Sequence, residues 1–299
     1  MSHDTSSTPA KRRVLVIGSG GVGTMVSVAL ERSGQASVTS VLRSNYEQVV
    51  KHGFEIESID HGKLSSWRPS AIVNAVPQAD PNAPFDYVIV TMKNIPEITQ
   101  RSCYSKTDYT SNHQSSQHSP QMWYYQHRVS SVHMKNGHVV HDDHDNFHIG
   151  AFHNPSVDAA VERTKLEEFA KIYNASKVVD ANVVDDIVFY RWRKVLWNGI
   201  FNPMCAITQL DSAAIRRFGG EHSLIRPGMA EMAAIAKADG YDLGPGIVDE
   251  MVVSTPLELS FRPSMLVDVD KGNPLEAEVI LGNALRVARG EGCEYTDLG

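Results

Sequence analysis

The sequence predicts an α/β protein in two parts: an N-terminal doubly wound parallel sheet, interrupted around residues 101–138, followed by an all-α C-terminal domain. Three observations predict it. A strand, a glycine turn and a helix-periodic run follow one another from Arg13; two more apolar runs follow at the spacing of a parallel sheet; and a long apolar run from Phe189 has no strand alternation. The 299 residues fit two domains of roughly 150 residues each. The expected division is a disordered lead-in over 1–12, a nucleotide-binding domain over 13–182 and a helical substrate and catalytic domain over 183–299.

Composition narrows the function classes. Hydrophobic residues at 42% and charged residues at 21% are ordinary for a soluble protein. A net charge of −7 gives no broad positive field for nucleic acid or anionic lipid, so neither partner is expected. Cys103, Cys205 and Cys293 are too far apart for a zinc or disulfide framework, which points to a reducing, cytoplasmic setting. The polar start has no apolar stretch to act as a signal peptide, and no run is long enough to cross a membrane.

RVLVIGSGGVGTMVSVALERSG reads as strand, tight turn and helix. Gly18, Gly20 and Gly23 form GxGxxG at the turn, with Ser19, Gly21 and Val22 between them. Missing side chains there let the backbone approach a pyrophosphate, and the helix start supplies unpaired N–H groups, the arrangement of a Rossmann-type dinucleotide site. ASVTSVLR is a second strand that ends at Arg43, twenty positions after Gly23. A guanidinium stands where an NAD enzyme usually carries an acid, and its fork suits a 2′-phosphate, so NADPH/NADP is the expected cofactor. FDYVIVTMK is a third strand, with Lys93 at its carboxyl end, the side on which open α/β sheets bind ligands; NIPEIT after it reads as a helix start.

From Arg101 to His138 the only branched aliphatic residues are Val129 and Val132. A stretch this polar buries too little apolar area to offset its ordering entropy, so it is expected to be disordered or poorly packed, as foreign sequence at an altered splice junction or reading frame would be. Nine of the thirteen histidines lie between His113 and His153, but their spacing is irregular. Only His141, His144, Asp142, Asp143 and Asp145 form a tight group, and no metal site is expected. NFHIGAFHN then reads as a strand. VERTKLEEFAKIYNAS reads as a helix with Val161, Leu166, Phe169 and Ile172 near one face, and KVVDANVVDDIV as the last strand or the crossover out of the first domain.

In FYRWRKVLWNGIFNPMCAITQL, Lys194, Asn198 and Asn202 recur every four residues along one helix face. Polar groups on so apolar a helix cost roughly 1–3 kcal/mol each when unsatisfied. Two readings stand: amides bonded to backbone with a snorkelling lysine, or a stripe facing a polar ligand with the lysine as proton donor. Pro203 withholds a helix hydrogen bond just beyond the stripe. Near the C-terminus, Ser264 reads either as an N-cap before Met265 or as a ligand contact. Glu276 reads either as the third residue of a helix capped by Asn273, with Pro274 first, or as a site carboxylate.

GSGGVG, Arg43, TMK, KVLWNGIFNP and RPSMLVDVDKGNPLEAEVILG together resemble the ketopantoate reductase (2-dehydropantoate 2-reductase) family, over residues 13–100 and 139 to about 290. The C-terminal pattern KxxxNxxxNP with PSMxxDxxxGxPxE is the specific part. The resemblance implies a Rossmann domain binding NADPH, a helical domain covering it and a 2-oxo acid substrate in the cleft. It implies Lys194 as general acid, Glu276 as its orienting partner, and Asn198, Asn202 and Ser264 as substrate-binding residues. Gly18, Ser19, Gly20, Gly21, Val22, Gly23, Arg43 and Lys93 would serve the cofactor. Reduction of ketopantoate in pantothenate biosynthesis by a monomer or homodimer is the implied activity, with a paralogue acting on another 2-oxo acid as the alternative. The family's apolar strand ending in Gln-Asn-Gly has no match after Lys93, which keeps open a non-catalytic product.

Overall fold

The computed structural model describes residues 10–78, 80–93, 95, 121–126 and 132–290. It forms two compact units, Met1–Met92 with Lys106–Ile187, and Lys93–Ser105 with Val188–Gly299. All but the last residues of the predicted lead-in, the helix start after Lys93, Cys103 and Cys293 lie outside the described residues. Arg12, assigned to the lead-in, is already strand.

The first unit runs β1 (Arg12–Ile17), α1 (Gly21–Arg32), β2 (Ala36–Val41), α2 (Tyr46–His52), β3 (Phe54–Ser58), β4 (Gly62–Trp67), β5 (Ala71–Val73), β6 (Tyr87–Val90), β7 (Gln121–Gln126), β8 (Val132–Lys135), β9 (His138–His141), β10 (Asn146–Phe152), α3 (Ala159–Asn174) and β11 (Asp180–Val183). A parallel sheet takes the order β5-β2-β1-β6. The run in β1 is continuously apolar because both faces are covered. Val14 and Val16 pack with Ala29 and Leu30 of α1 and with α3, while Leu15 and Ile17 pack with Val41, Val73 and Met92. Among the described residues this sheet stops at β6, where Val88 and Val90 stay exposed.

β10 and β11 are parallel, as continuation of the α/β pattern requires, but with β7 they form a separate sheet. The expectation that 101–138 is disordered or poorly packed is corrected, as to disorder, at two places. Residues 121–126 pair with β10, and 132–135 with β9. Backbone N–H and C=O groups pair whatever the side chains are, and β10 and β9 offered them edges. Residues 101–120 and 127–131 lie outside the described residues. β9 also runs parallel to β3, giving the order β4-β3-β9-β8.

Leu166, Phe169 and Ile172 of α3 are buried as expected, but Val161 is exposed. It lies about 140° round the axis from Leu166. The buried place in that turn belongs to Glu162, whose carboxylate accepts from the Asn154 N–H at 2.7 Å and pairs with His153 at 2.9 Å.

The acidic and histidine-rich group is structural. Asp60 pairs with His144 and accepts the Asp145 N–H at 2.7 Å; Tyr173 donates to Asp145 at 2.6 Å; Ser58 bonds His141 at 2.9 Å. These contacts join the β3–β4 turn to the β9–β10 connection and α3. Among the described residues no three His, Cys, Asp or Glu side chains gather as metal ligands would.

His61 lies beside this group, buried, with neither ring nitrogen bonded. Burial pushes its pKa down to about 4; Arg32 and His141 lower it further, and Asp60 opposes them. An unfolded histidine takes up its proton near pH 6.5, so this group's stabilisation is intact above about 6.5 and is lost as pH falls towards 4. At the rate of about 1.4 kcal/mol per unit, the loss is on the order of 3 kcal/mol. Urea unfolding across that window is expected to show the loss in the wild type and to show it flattened in His61→Leu. Parallel pH curves for the two proteins would refute it.

The second unit has α4 (Ile187–Thr208), α5 (Ser212–Ile215), α6 (Arg226–Ala238), α7 (Ile247–Val253), α8 (Ser264–Lys271) and α9 (Asn283–Ala288), with wider helical turns over Arg216–Ile225 and Glu278–Gly282. Its core is Trp192, Leu196, Trp197, Ile200, Phe201 and Cys205 of α4, packed with Ile225, Met229, Met251 and Leu266. Each such side chain contributes roughly 1.5–3 kcal/mol by burial, which holds α4 in one orientation. Among the described residues no helix is long and apolar enough to cross a membrane.

Candidate active site

The glycine turn between β1 and α1 is built by close packing on one side and open space on the other. Gly18 has φ +98°, and a Cβ there would meet the backbone nitrogen of Met92 at 2.8 Å. A Cβ on Gly23 would lie 2.5 Å from the Gly18 carbonyl oxygen and 2.6 Å from Thr91 Oγ1. Gly20 differs: its Cβ would approach no protein atom closer than 4.0 Å. The first two glycine requirements serve the turn itself and Gly20 faces open space, while a Cβ on Gly21, the first residue of α1, would lie 2.6 Å from Val132 Cγ1.

Three further features suit that space to a phosphate. The first N–H groups of α1 have no helical acceptor, Gly20 caps them with no side chain, and the first turn carries no acid. Ser19 is buried with its hydroxyl unbonded. Gly21 and Val22 are the first two residues of α1 and contribute backbone. The residues present therefore fit a dinucleotide's pyrophosphate. Thr91, which was not singled out from sequence, donates to the Gly18 carbonyl at 2.6 Å and ties β6 to the turn. The signal was there in TMK.

Arg43 follows β2 by two residues and is exposed. No described carboxylate pairs with it, in contrast to Arg12, Arg163 and Arg226, which all hold ion pairs. Its fork is available to an anion from solution.

In the second unit the stripe on α4 grades from wet to dry. Lys194 is exposed, Asn198 half-buried, and Asn202 only 1% exposed. Neither the oxygen nor the nitrogen of the Asn202 amide has a partner, which removes the reading of that amide as bonded to backbone. The Lys194 side chain is reachable by solvent, yet protein is dense enough around it to strip hydration. That desolvation lowers the ammonium's pKa; the charge of Glu276 raises it and that of Arg191 lowers it.

Ser264 is the first residue of α8 and makes no capping bond; the cap position is Pro263. The N-cap alternative for Ser264 is thus corrected, and its hydroxyl is exposed. The alternative for Glu276 is corrected too. Asn273 does not cap a helix beginning at Pro274; residues 273–276 are non-helical, and the Asn273 amide donates to Asp268 at 3.2 Å. Glu276 is half-buried, and its carbonyl accepts the Ile280 N–H. Lys93 forms an ion pair with Asp268.

The structure thus brings Gly18, Ser19, Gly20, Gly21, Val22 and Gly23 together at one turn, and puts Lys194, Asn198 and Asn202 on one helix with Glu276 in the electrostatic field of the lysine. Asp268, present in the PSMxxDxxxGxPxE pattern but given no role there, is the residue that sequence reasoning passed over.

Two family models match the chain: "Ketopantoate reductase PanE/ApbA" over residues 14–102 and "Ketopantoate reductase PanE/ApbA C terminal" over residues 186–298. An uncharacterised protein of Saccharomyces cerevisiae is 30% identical over 324 aligned residues, covering 94% of this chain and 88% of that protein. The crystal structure of 2-dehydropantoate 2-reductase from Methylococcus capsulatus is 25% identical with a TM-score of 0.70, over 93% of this chain and 90% of that one. A D-mandelate dehydrogenase solved with NADH and anilino(oxo)acetate shares the fold, with a TM-score of 0.71 at 16% identity over 96% and 95% of the two chains.

Proposed function

The chain belongs to the ketopantoate reductase family, and on that footing we propose that it reduces ketopantoate to pantoate with NADPH. One observation carries the reading: a desolvated lysine in the field of Glu276 shares a helix face with two amides, the deeper of them buried and unbonded. A reduced 2-oxo acid gathers negative charge on its carbonyl oxygen, and a positioned ammonium both stabilises that charge and supplies the proton. Lys194 is that group. Asn198, Asn202 and Ser264 bind the carboxylate and hydroxyl of the substrate. Glu276 keeps the Lys194 ammonium charged against the pull of desolvation, so that the acid is protonated when needed and still able to release its proton.

NADPH, when bound, supplies the hydride to C2. The residues that hold it are Gly18 to Gly23 for the pyrophosphate, with Arg43 on the 2′-phosphate and Lys93 near the reacting end. Residues 13–182 form the cofactor domain and 183–299 the catalytic one. Arg43 gives the test of cofactor choice. Arg43→Ala is expected to raise the KM for NADPH about 10- to 100-fold, the weight of charge-assisted hydrogen bonds, and to move the KM for NADH by only a few-fold. Equal changes for both cofactors would remove Arg43 from the 2′-phosphate site.

Two other readings remain on the table. The likeness to a mandelate dehydrogenase favours a panel of 2-oxo acids as substrates, and comparing kcat/KM across that panel separates them from ketopantoate. The lack of a match to the family's Gln-Asn-Gly strand after Lys93 favours a non-catalytic product; absence of Lys194-dependent NADPH oxidation with every acid would favour it.

A further inference from the structure

The GxGxxG pattern asks for glycine at 18, 20 and 23 and leaves position 21 open, yet this chain has glycine there too. Helices disfavour glycine relative to alanine, and Gly21, the first residue of α1, has none of the positive φ that would call for it. A neighbour calls for it instead. A Cβ at Gly21 would lie 2.6 Å from Val132 Cγ1 and 3.1 Å from the Val132 carbonyl oxygen. Turning the valine side chain does not make that room, because the strand's own backbone is in contact.

Val132 opens β8, the edge strand of its sheet. Val132 and Met134, two places apart and so on one face, both pack on the cluster that holds Met25 and Val28 of α1 with Leu42. Met134 Sδ accepts from the Asn45 amide at 3.6 Å, and the Tyr46 N–H on the Arg43 carbonyl at 3.2 Å folds Arg43 and Asn45 into one turn. One strand thus touches both halves of the cofactor site: Val132 meets the start of α1 and, about 7 Å further along, Met134 meets the turn that carries Arg43. The far end of the strand is anchored. Asn136 and Gly137 have φ +51° and +77°, as a two-residue type I′ hairpin turn requires, and the Gly137 carbonyl accepts the Glu55 N–H at 3.0 Å, which ties the hairpin to β3.

Resting on the cofactor assignment made above, we propose that β8 is a strut that sets the spacing between the glycine turn and the Arg43 turn, with Val132 and Met134 as positioning residues and Gly21 as the seat. NADPH presents two anionic groups, the pyrophosphate and the 2′-phosphate, to anchors that follow different strands, β1 and β2. The second contact adds its full weight only when the separation of the anchors is fixed beforehand. NADH lacks the 2′-phosphate and engages one anchor, so the strut bears on the choice between the two cofactors rather than on nucleotide binding as such. β8 acts through Gly21 and Asn45, not by touching the nucleotide.

The test is the dissociation constant of NADPH and of NADH, measured by calorimetry on the full-length protein for wild type, Gly21→Ala, Val132→Ala and the double variant. Gly21→Ala is expected to weaken NADPH about 10-fold, the weight of charge-assisted hydrogen bonds, and NADH less than about 3-fold. In the Val132→Ala background, where Cγ1 is gone, the same substitution is expected to weaken NADPH less than about 3-fold. A Cβ that obstructs the pyrophosphate directly would weaken both cofactors equally, and would do so in both backgrounds; either outcome overturns the proposal. So does unchanged NADPH binding in Gly21→Ala. If that variant does not fold, Met134→Ala, which cuts the strut at its other end, must weaken NADPH several-fold more than NADH and must lose that difference when Arg43 is also alanine; equal effects on the two cofactors overturn the proposal. Wild-type protein that binds NADPH without this coupling defeats the strut alone. Wild-type protein that binds neither cofactor defeats the cofactor assignment, and the strut with it.

Discussion

Replacing Lys194 with alanine is expected to lower kcat by about 10²- to 10⁴-fold, the range that a positioned general acid contributes, with a much smaller change in the KM for NADPH. Lys194 sits on α4 among residues that fix its backbone, since Trp192, Leu196 and Trp197 on either side of it are core. Truncation at this position leaves that packing in place, so the loss is chemical. The amides at Asn198 and Asn202 remain to bind substrate, which is why binding should survive better than turnover. Alanine also removes an ammonium that protein has partly desolvated, so the variant's thermal stability should be no lower than the wild type's. A variant that loses turnover and stability together would point to a structural lysine.

The second large effect is expected from Glu276→Gln, and it has a sign. Desolvation lowers the pKa of Lys194 and the Glu276 charge raises it. Without that charge the ammonium loses its proton at lower pH. A general acid must be protonated, so the rate falls as pH rises through its pKa. The basic limb of the pH profile of kcat should therefore move to lower pH in Glu276→Gln, with kcat at neutral pH down about 10-fold or more for each unit by which the limb passes below neutrality. Asn198→Ala, by comparison, should change KM and leave the limb where it is. A Glu276→Gln profile superposing on the wild type's would show that Glu276 does not act on Lys194.

Much of this was legible in the sequence, and the parts that were not have identifiable physical causes. β1 announced itself because a parallel strand buried on both faces is a continuous apolar run, and β2 and β6 did so by their branched residues, although Val88 and Val90 of β6 stay exposed. α4 did so because an apolar helix with polar residues every fourth place is hard to read otherwise. β4 was hidden, since GKLSSW carries few apolar residues, whereas FEIES of β3 alternates and buries Phe54 and Ile56, a signal that was passed over. Val161 fitted a helical stripe by spacing, but Glu162 took the buried place because His153 and Asn154 satisfied its carboxylate. Local rules also misplaced Ser264 and Asn273. Each is a good capping residue on its own, but α8 takes Pro263 at its cap position and residues 273–276 are non-helical. In the candidate site, residue types at fixed spacing were readable, whereas the Lys93–Asp268 pair joins positions 175 apart in sequence, a separation that no local pattern reports.

In the proposed reaction hydride and proton reach one 2-oxo carbonyl, the proton from Lys194. Incubating the purified protein with ketopantoate and NADPH carrying deuterium on the transferring face of the nicotinamide, and weighing the product by mass spectrometry, tests it directly. Pantoate with one deuterium at C2 is expected, formed in step with NADPH consumed and lost in Lys194→Ala. Cofactor that binds and is never consumed, or product formed equally by the alanine variant, would contradict it.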